Sequence, residues 1–242
     1  TAGQSVVDDL LDAQSPPALE DLLEVMQQDG KIEFIGSGAF NQVYRIPGTD
    51  VLIRFGRYTP PSNLSRFEEL QLGDDLFADI YLNRRFGSAL DNEVPQLQLI
   101  ERLAGTTLYD FTYNVVPPNE AMEVMRSIGR QYVRLVDEKN VLHGDISPGN
   151  VYLVNAGRRN TPPEVRFIDP DSIATIEFTE EGLNAFEDEL VRLFNYTSGL
   201  RPFSMARFQW NQVFEESLEG ISDPRLQEVR DRVLKRIRLG AL

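Results

Sequence analysis

The spacing of apolar residues changes twice along this chain. In residues 5–28, Val6, Leu10, Leu11, Leu19, Leu22, Leu23 and Met26 recur at roughly three-to-four spacing among acidic residues. That pattern predicts two short helices, separated at Pro16-Pro17. The period then shortens. Residues 31–35, 42–46 and 51–55 read as strands, punctuated by a Gly-rich turn and by Pro47-Gly48. Three successive strands in antiparallel order predict a small sheet. Residues 65–86 read as a helical region interrupted or bent near Gly73, and 97–103 as a strand ending at an Ala104-Gly105 linker. From Asn119 the helical period returns through Met122, Met125, Ile128, Tyr132, Leu135 and Val136. Two further helices are predicted over 181–196 and 224–239, and neither an internal repeat nor a low-complexity segment interrupts the pattern.

Composition narrows the class. A chain of 242 residues, 41% hydrophobic, can bury one sizeable core or build two small lobes sharing a cleft. The formal net charge of −14 argues against a nucleic-acid partner, which would need phosphate-neutralising Lys and Arg, and against an anionic membrane surface. There is no cysteine, which excludes a disulfide scaffold and argues against a structural zinc site. No apolar run approaches the length of a membrane span, and no signal-type apolar segment opens the chain. Thr1 in place of Met is expected of either a trimmed N-terminus or an artificial boundary. The N-x-S/T matches at Asn63 and Asn195 are then chance matches to a short pattern.

The chemistry concentrates in His143-Gly144-Asp145-Ile146-Ser147-Pro148-Gly149-Asn150. Apolar residues flank it, Val141-Leu142 before and Val151-Tyr152-Leu153-Val154 after, and a second apolar run over 165–168 delivers Asp169. A rigid hairpin-like frame of this kind can set one carboxylate beside a hydroxyl nucleophile and place Asn and a second Asp on a divalent cation. Phosphoryl transfer needs such a set. The only histidine of the chain falls inside the motif, where a structural role is favoured over proton transfer.

The order of features resembles the protein-kinase-like superfamily over roughly residues 31–210. The features are a Gly-rich hairpin, a basic residue on the third strand, a helix, a strand, a linker, a helix, H-G-D-x-x-x-x-N, a short strand and Asp. The fold this implies is α+β and two-lobed. A small antiparallel sheet lobe with one main helix (31–104) would follow an N-terminal helical extension (1–30) and precede a reduced, mainly helical lobe (105–242).

Site residues follow from the resemblance. Ile35, Gly36, Ser37, Gly38 and Val43 would cover the nucleotide, with Asn41 standing at the third glycine of the family loop. Arg54 stands where the family has lysine, with Asp79 as its first candidate acidic partner and Glu69 as the alternative. The Glu101 carbonyl and the Leu103 N–H would meet the adenine edge. Asp145 would be the catalytic base, and Asn150 and Asp169 would hold Mg2+. Pro170-Asp171 replaces the Phe-Gly of D-F-G, and Asp188 would anchor the catalytic-loop backbone. The segment between Asp169 and Asp188 is short and has no A-P-E match.

The activity implied is ATP-dependent phosphotransfer, most simply by a Ser/Thr-type protein kinase. The stripped activation segment resembles compact bacterial effector protein kinases, which act on a host protein inside a host cell. A cytoplasmic location, or secretion into a host-cell cytoplasm, and a monomer are then expected, with ATP and Mg2+ as cofactors. Arg54 keeps open a pseudokinase binding module. H-G-D-x-x-x-x-N is also shared with small-molecule kinases of the aminoglycoside and choline type.

Overall fold

A computed structural model describes residues 2–37, 41–58, 72, 76–87, 94–114, 116–155 and 163–242. The chain divides into two compact units, residues 1–62 with 78–103 and residues 63–77 with 104–242.

The first unit opens with helices α1 (Ala2–Asp12) and α2 (Pro16–Gln28). The Pro pair does not merely separate them: it starts α2, because proline at the first helical positions gives up an N–H that would be unsatisfied anyway. Ser15 caps this end, its side chain accepting the Ala18 N–H. Five strands follow: β1 (Glu33–Ser37), β2 (Asn41–Arg45), β3 (Val51–Tyr58), β4 (Ile80–Arg85) and β5 (Val94–Glu101). They form one antiparallel sheet in the order β1-β2-β3-β5-β4. Strand alternation sends Tyr44, Ile53, Phe55, Leu97 and Leu99 to one face, where Val6, Leu10, Leu19, Leu23 and Met26 of the two helices pack on them. The same alternation puts Arg54, Gln96 and Gln98 on the other face.

Of the expected helix over 65–86, residues 65–71 and 73–75 lie outside the described residues, and the described end is not helical. Residues 80–85 are β4, paired to β5 with Ile80 opposite Ile100 and Leu82 opposite Leu99. Ile80, Leu82 and Phe86 satisfy either period in so short a run, and the neighbouring strand decides between them.

The second unit holds the rest. Strands β6 (Gly105–Thr107), β8 (Val151–Val154) and β9 (Glu164–Phe167) make one small sheet, and β7 (Val141–Leu142) pairs with β10 (Ala174–Thr175). Gly105 is therefore not a linker but a strand residue, and a Cβ there would overlap the Leu153 carbonyl oxygen. Among the described residues the unit also holds helices α3 (Leu108–Thr112), α4 (Pro118–Val133), α5 (Glu180–Thr197), α6 (Arg207–Ser217) and α7 (Pro224–Arg238). Helix α4 runs into a π-helical turn, Arg134–Glu138, that leads to β7. Helix α6 was not predicted. It buries Trp210, Val213 and Phe214 and packs against α4, so its apolar face is legible mainly through its partner. Among the described residues no helix is long and apolar enough to cross a membrane.

Candidate active site

The His143–Asn150 loop lies between β7 and β8, and Asp169 follows β9 by two residues. One backbone bond joins these two pieces, a second closes the loop on itself, and a third ties β9 to Leu76. The Ile168 N–H donates to the Asn150 carbonyl at 3.0 Å, the Asn150 N–H to the Ser147 carbonyl at 2.9 Å, and the Phe167 N–H to the Leu76 carbonyl at 2.7 Å. The side-chain amide of Asn150 donates to the Asp145 carbonyl at 2.9 Å and to the Asp145 carboxylate at 3.2 Å. Its side-chain oxygen is thus the atom turned away from Asp145. Asp169 adopts the left-handed conformation, φ 60° and ψ 65°, which Asp tolerates better than bulkier residues.

His143 supports this assembly from beneath. It is fully buried, stacked on Phe77 with ring centroids 5.5 Å apart and edge-on to Phe167 at 5.6 Å. Its Nδ1 accepts the Asp145 N–H at 3.4 Å, so the proton belongs on Nε2, which lies 3.0 Å from the Ile168 carbonyl and donates to it. Burial holds its pKa below 6.5, while the nearby charges of Asp145 and Asp169 pull the other way. The imidazole brackets the two segments by hydrogen bonds, and its burial favours the neutral form.

The anchor of the loop is Glu189, not Asp188. Glu189 is 2% exposed. Its carboxylate accepts the His143 N–H at 3.1 Å and the Gly144 N–H at 2.6 Å. Burial raises its pKa, opposed by those two N–H groups. Asp188 is exposed on the next facet of α5. A signal was present in the sequence: Phe186, Leu190, Leu193 and Phe194 form the buried stripe of α5, and Glu189 falls within it. A carboxylate on an apolar stripe needs polar partners.

Gly144 has φ 80°, and a Cβ on it would overlap the Ser172 carbonyl oxygen. The close approach seats the turn after Asp169, Pro170–Ser172, directly against the loop.

In the sheet unit, Ile35, Gly36 and Ser37 lie in β1, with Gly36 opposite Val43 across a register shift that displaces Ile35. Gly38 and Glu69 lie outside the described residues. Arg54 is at the centre of β3, where its Nε donates to Asn41 Oδ1 at 3.0 Å and its Nη1 to Gln98 Oε1 at 3.2 Å. Asp79 is not on a helix, as a partner of the family type would be. It sits just before β4 in a reciprocal pair with Glu101, its N–H donating to the Glu101 carboxylate at 3.1 Å and its carbonyl accepting the Glu101 N–H at 2.8 Å. Leu103 ends this unit.

No family model matches the chain, and no curated protein matches it. A solved structure, "WaaP in complex with acyl carrier protein", matches at 14% identity with a TM-score of 0.58, covering 86% of this chain and 87% of that one. The fold is protein-kinase-like. A second solved structure, the Cydia pomonella Granulovirus kinase PK-1, is 12% identical with a TM-score of 0.49, over 89% of this chain and 91% of that one.

Proposed function

We propose that the protein is an ATP-dependent phosphotransferase that moves the γ-phosphoryl group to a hydroxyl of a protein substrate. The observation that carries this is the hydrogen bond from the Asn150 amide to the Asp145 carboxylate, with Asp169 held one residue beyond the Ile168 N–H that donates to the Asn150 carbonyl, and with His143 bracketing both segments. The donor set fits Mg2+: carboxylate and amide oxygens are the hard ligands it takes, and the Asn150 side-chain oxygen is turned away from Asp145. Asn150 and Asp169 would hold the ion, which supplies charge neutralisation on the phosphates.

The remaining work falls to the chain itself. The Asp145 carboxylate orients the acceptor hydroxyl by accepting its hydrogen bond, and takes its proton as the oxygen–phosphorus bond forms and the bond to the leaving ADP breaks. Positioning and electrostatics supply most of the rate in such a reaction. In the sheet unit, Ile35, Gly36, Ser37, Gly38 and Val43 are assigned to the nucleotide, the Glu101 carbonyl and Leu103 N–H to the adenine edge, and Arg54 to phosphate. A protein hydroxyl of the Ser/Thr type, on a host protein if the chain is an effector, is the acceptor that agrees with the short 169–188 segment.

The test is phosphate transfer from γ-labelled ATP with Mg2+. Wild type should label itself or an added basic protein, and Asp145→Ala and Asp169→Ala should each abolish the label. Equal nucleotide binding by wild type and Asp169→Ala, with transfer by neither, would replace this reading with a binding module. Labelling of an aminoglycoside or choline but of no protein would move the acceptor to a small molecule.

A further inference from the structure

Two departures from the kinase-like pattern turn out to be partners. Asn41 occupies a glycine position and Arg54 a lysine position, and the Arg54 Nε donates to Asn41 Oδ1 at 3.0 Å. The register explains the meeting. Arg54 lies opposite Val43 on β2 and opposite Gln98 on β5, and Asn41 is two residues from Val43, diagonal to Arg54 on the same face. Gln98 completes the clamp, its Oε1 accepting from Nη1 at 3.2 Å.

We propose that Asn41 and Gln98 position the Arg54 guanidinium for phosphate, so that the arginine acts as a fixed cation where a lysine would be a mobile one. The inference rests on the phosphotransfer reading above and deepens it. Three observations support it. Gln98 is 1% exposed, so its amide is set by packing and offers a rigid acceptor. Asn41 and Gln98 each offer an amide oxygen, so that Nε and Nη1 of the guanidinium are oriented by separate strands. Buried Gln96 and Gln98 lie two residues apart on the inner strand β5, where apolar residues would cost less, and Gln96 donates to Asn83 on β4. A polar row across this face is explained if it holds a cation in place. A lysine at 54 has a compact ammonium and no planar fork to span two acceptors.

The test is a mutant cycle on the full chain. Asn41→Ala should raise the ATP KM about tenfold with a smaller change in kcat, the loss expected when contacting residues are uncoupled. In an Arg54→Lys background the same substitution should cost less than about twofold, since the coupled partner is already gone. Gln98→Met, which keeps the buried volume, should act in the same direction as Asn41→Ala. A second readout needs no nucleotide. The Nε–H resonance of Arg54, identified by its loss in Arg54→Lys, should shift in Asn41→Ala. Equal costs of Asn41→Ala in both backgrounds, or an unmoved resonance, overturn the inference. A wild type that binds no MgATP overturns the phosphotransfer reading and the phosphate part of this one, while the resonance still reports whether Asn41 holds the guanidinium.

Discussion

The Gly144 N–H donates to the Glu189 carboxylate at 2.6 Å, joining the candidate catalytic loop to the centre of α5. The second carboxylate oxygen takes the His143 N–H, so one buried side chain satisfies two consecutive donors. Buried donors left without acceptors are costly, and the loop depends on this residue for its shape.

Glu189→Ala should therefore destabilise the protein by about 2–5 kcal/mol, leaving two N–H groups unsatisfied. Asp188→Ala, at an exposed position, should stay within about 0.5 kcal/mol of wild type. Urea unfolding of the two variants side by side tests the assignment; a larger loss for Asp188→Ala would reverse it.

Gly144 and Gly149 flank the same loop but differ in freedom. Gly144 has φ 80° and no room for a Cβ against Ser172, whereas the nearest atom to a Cβ on Gly149 is Ser147 Oγ at 3.8 Å. Gly144→Ala should cost at least about 1–3 kcal/mol from backbone strain alone and should lower phosphate transfer as well. Gly149→Ala should be nearly neutral. Thermal melts and labelled-ATP assays read both.

The single histidine makes a pH experiment direct. Burial lowers the pKa of His143 from 6.5. A depressed folded-state pKa means that the unfolded chain binds more protons, so this group's contribution to stability is present above pH 6.5 and is lost as pH falls through the folded value. Over that window His143 changes the unfolding free energy by at most about 1.4 kcal/mol per pH unit. The one imidazole resonance in the proton spectrum should titrate below 6.5. A midpoint above it would mean a charged His143, incompatible with Nδ1 accepting the Asp145 N–H.

The first two helices should prove integral to the sheet unit. Leu23 is buried against the sheet, and Leu23→Ala should destabilise by about 2–5 kcal/mol. Leu11 is 39% exposed, and Leu11→Ala should change little. Denaturant midpoints decide; equal small effects would show that α1 and α2 contribute little to the core.

Much of this molecule could be read from residue order. His143 to Asn150 with its apolar flanks specified a loop between strands, because local alternation and turn residues act over a few positions. The strands around Val43 and Arg54, and the stripe on α4, were legible for the same reason. Other features depended on partners distant in sequence. Residues 80–85 became a strand because β5 offered a pairing edge. Glu189 rather than Asp188 became the anchor because α5 turned one carboxylate toward two unsatisfied N–H groups, a 100° difference in direction that composition does not record. Asn41 met Arg54 only through sheet register. The sequence by itself determined which candidate residues stand together in one loop and its flanking strands, since short-range periodicity and turn preference need no distant residue. The tertiary structure decided which polar groups hold that loop in place, since burial and hydrogen-bond geometry exist only once distant segments pack.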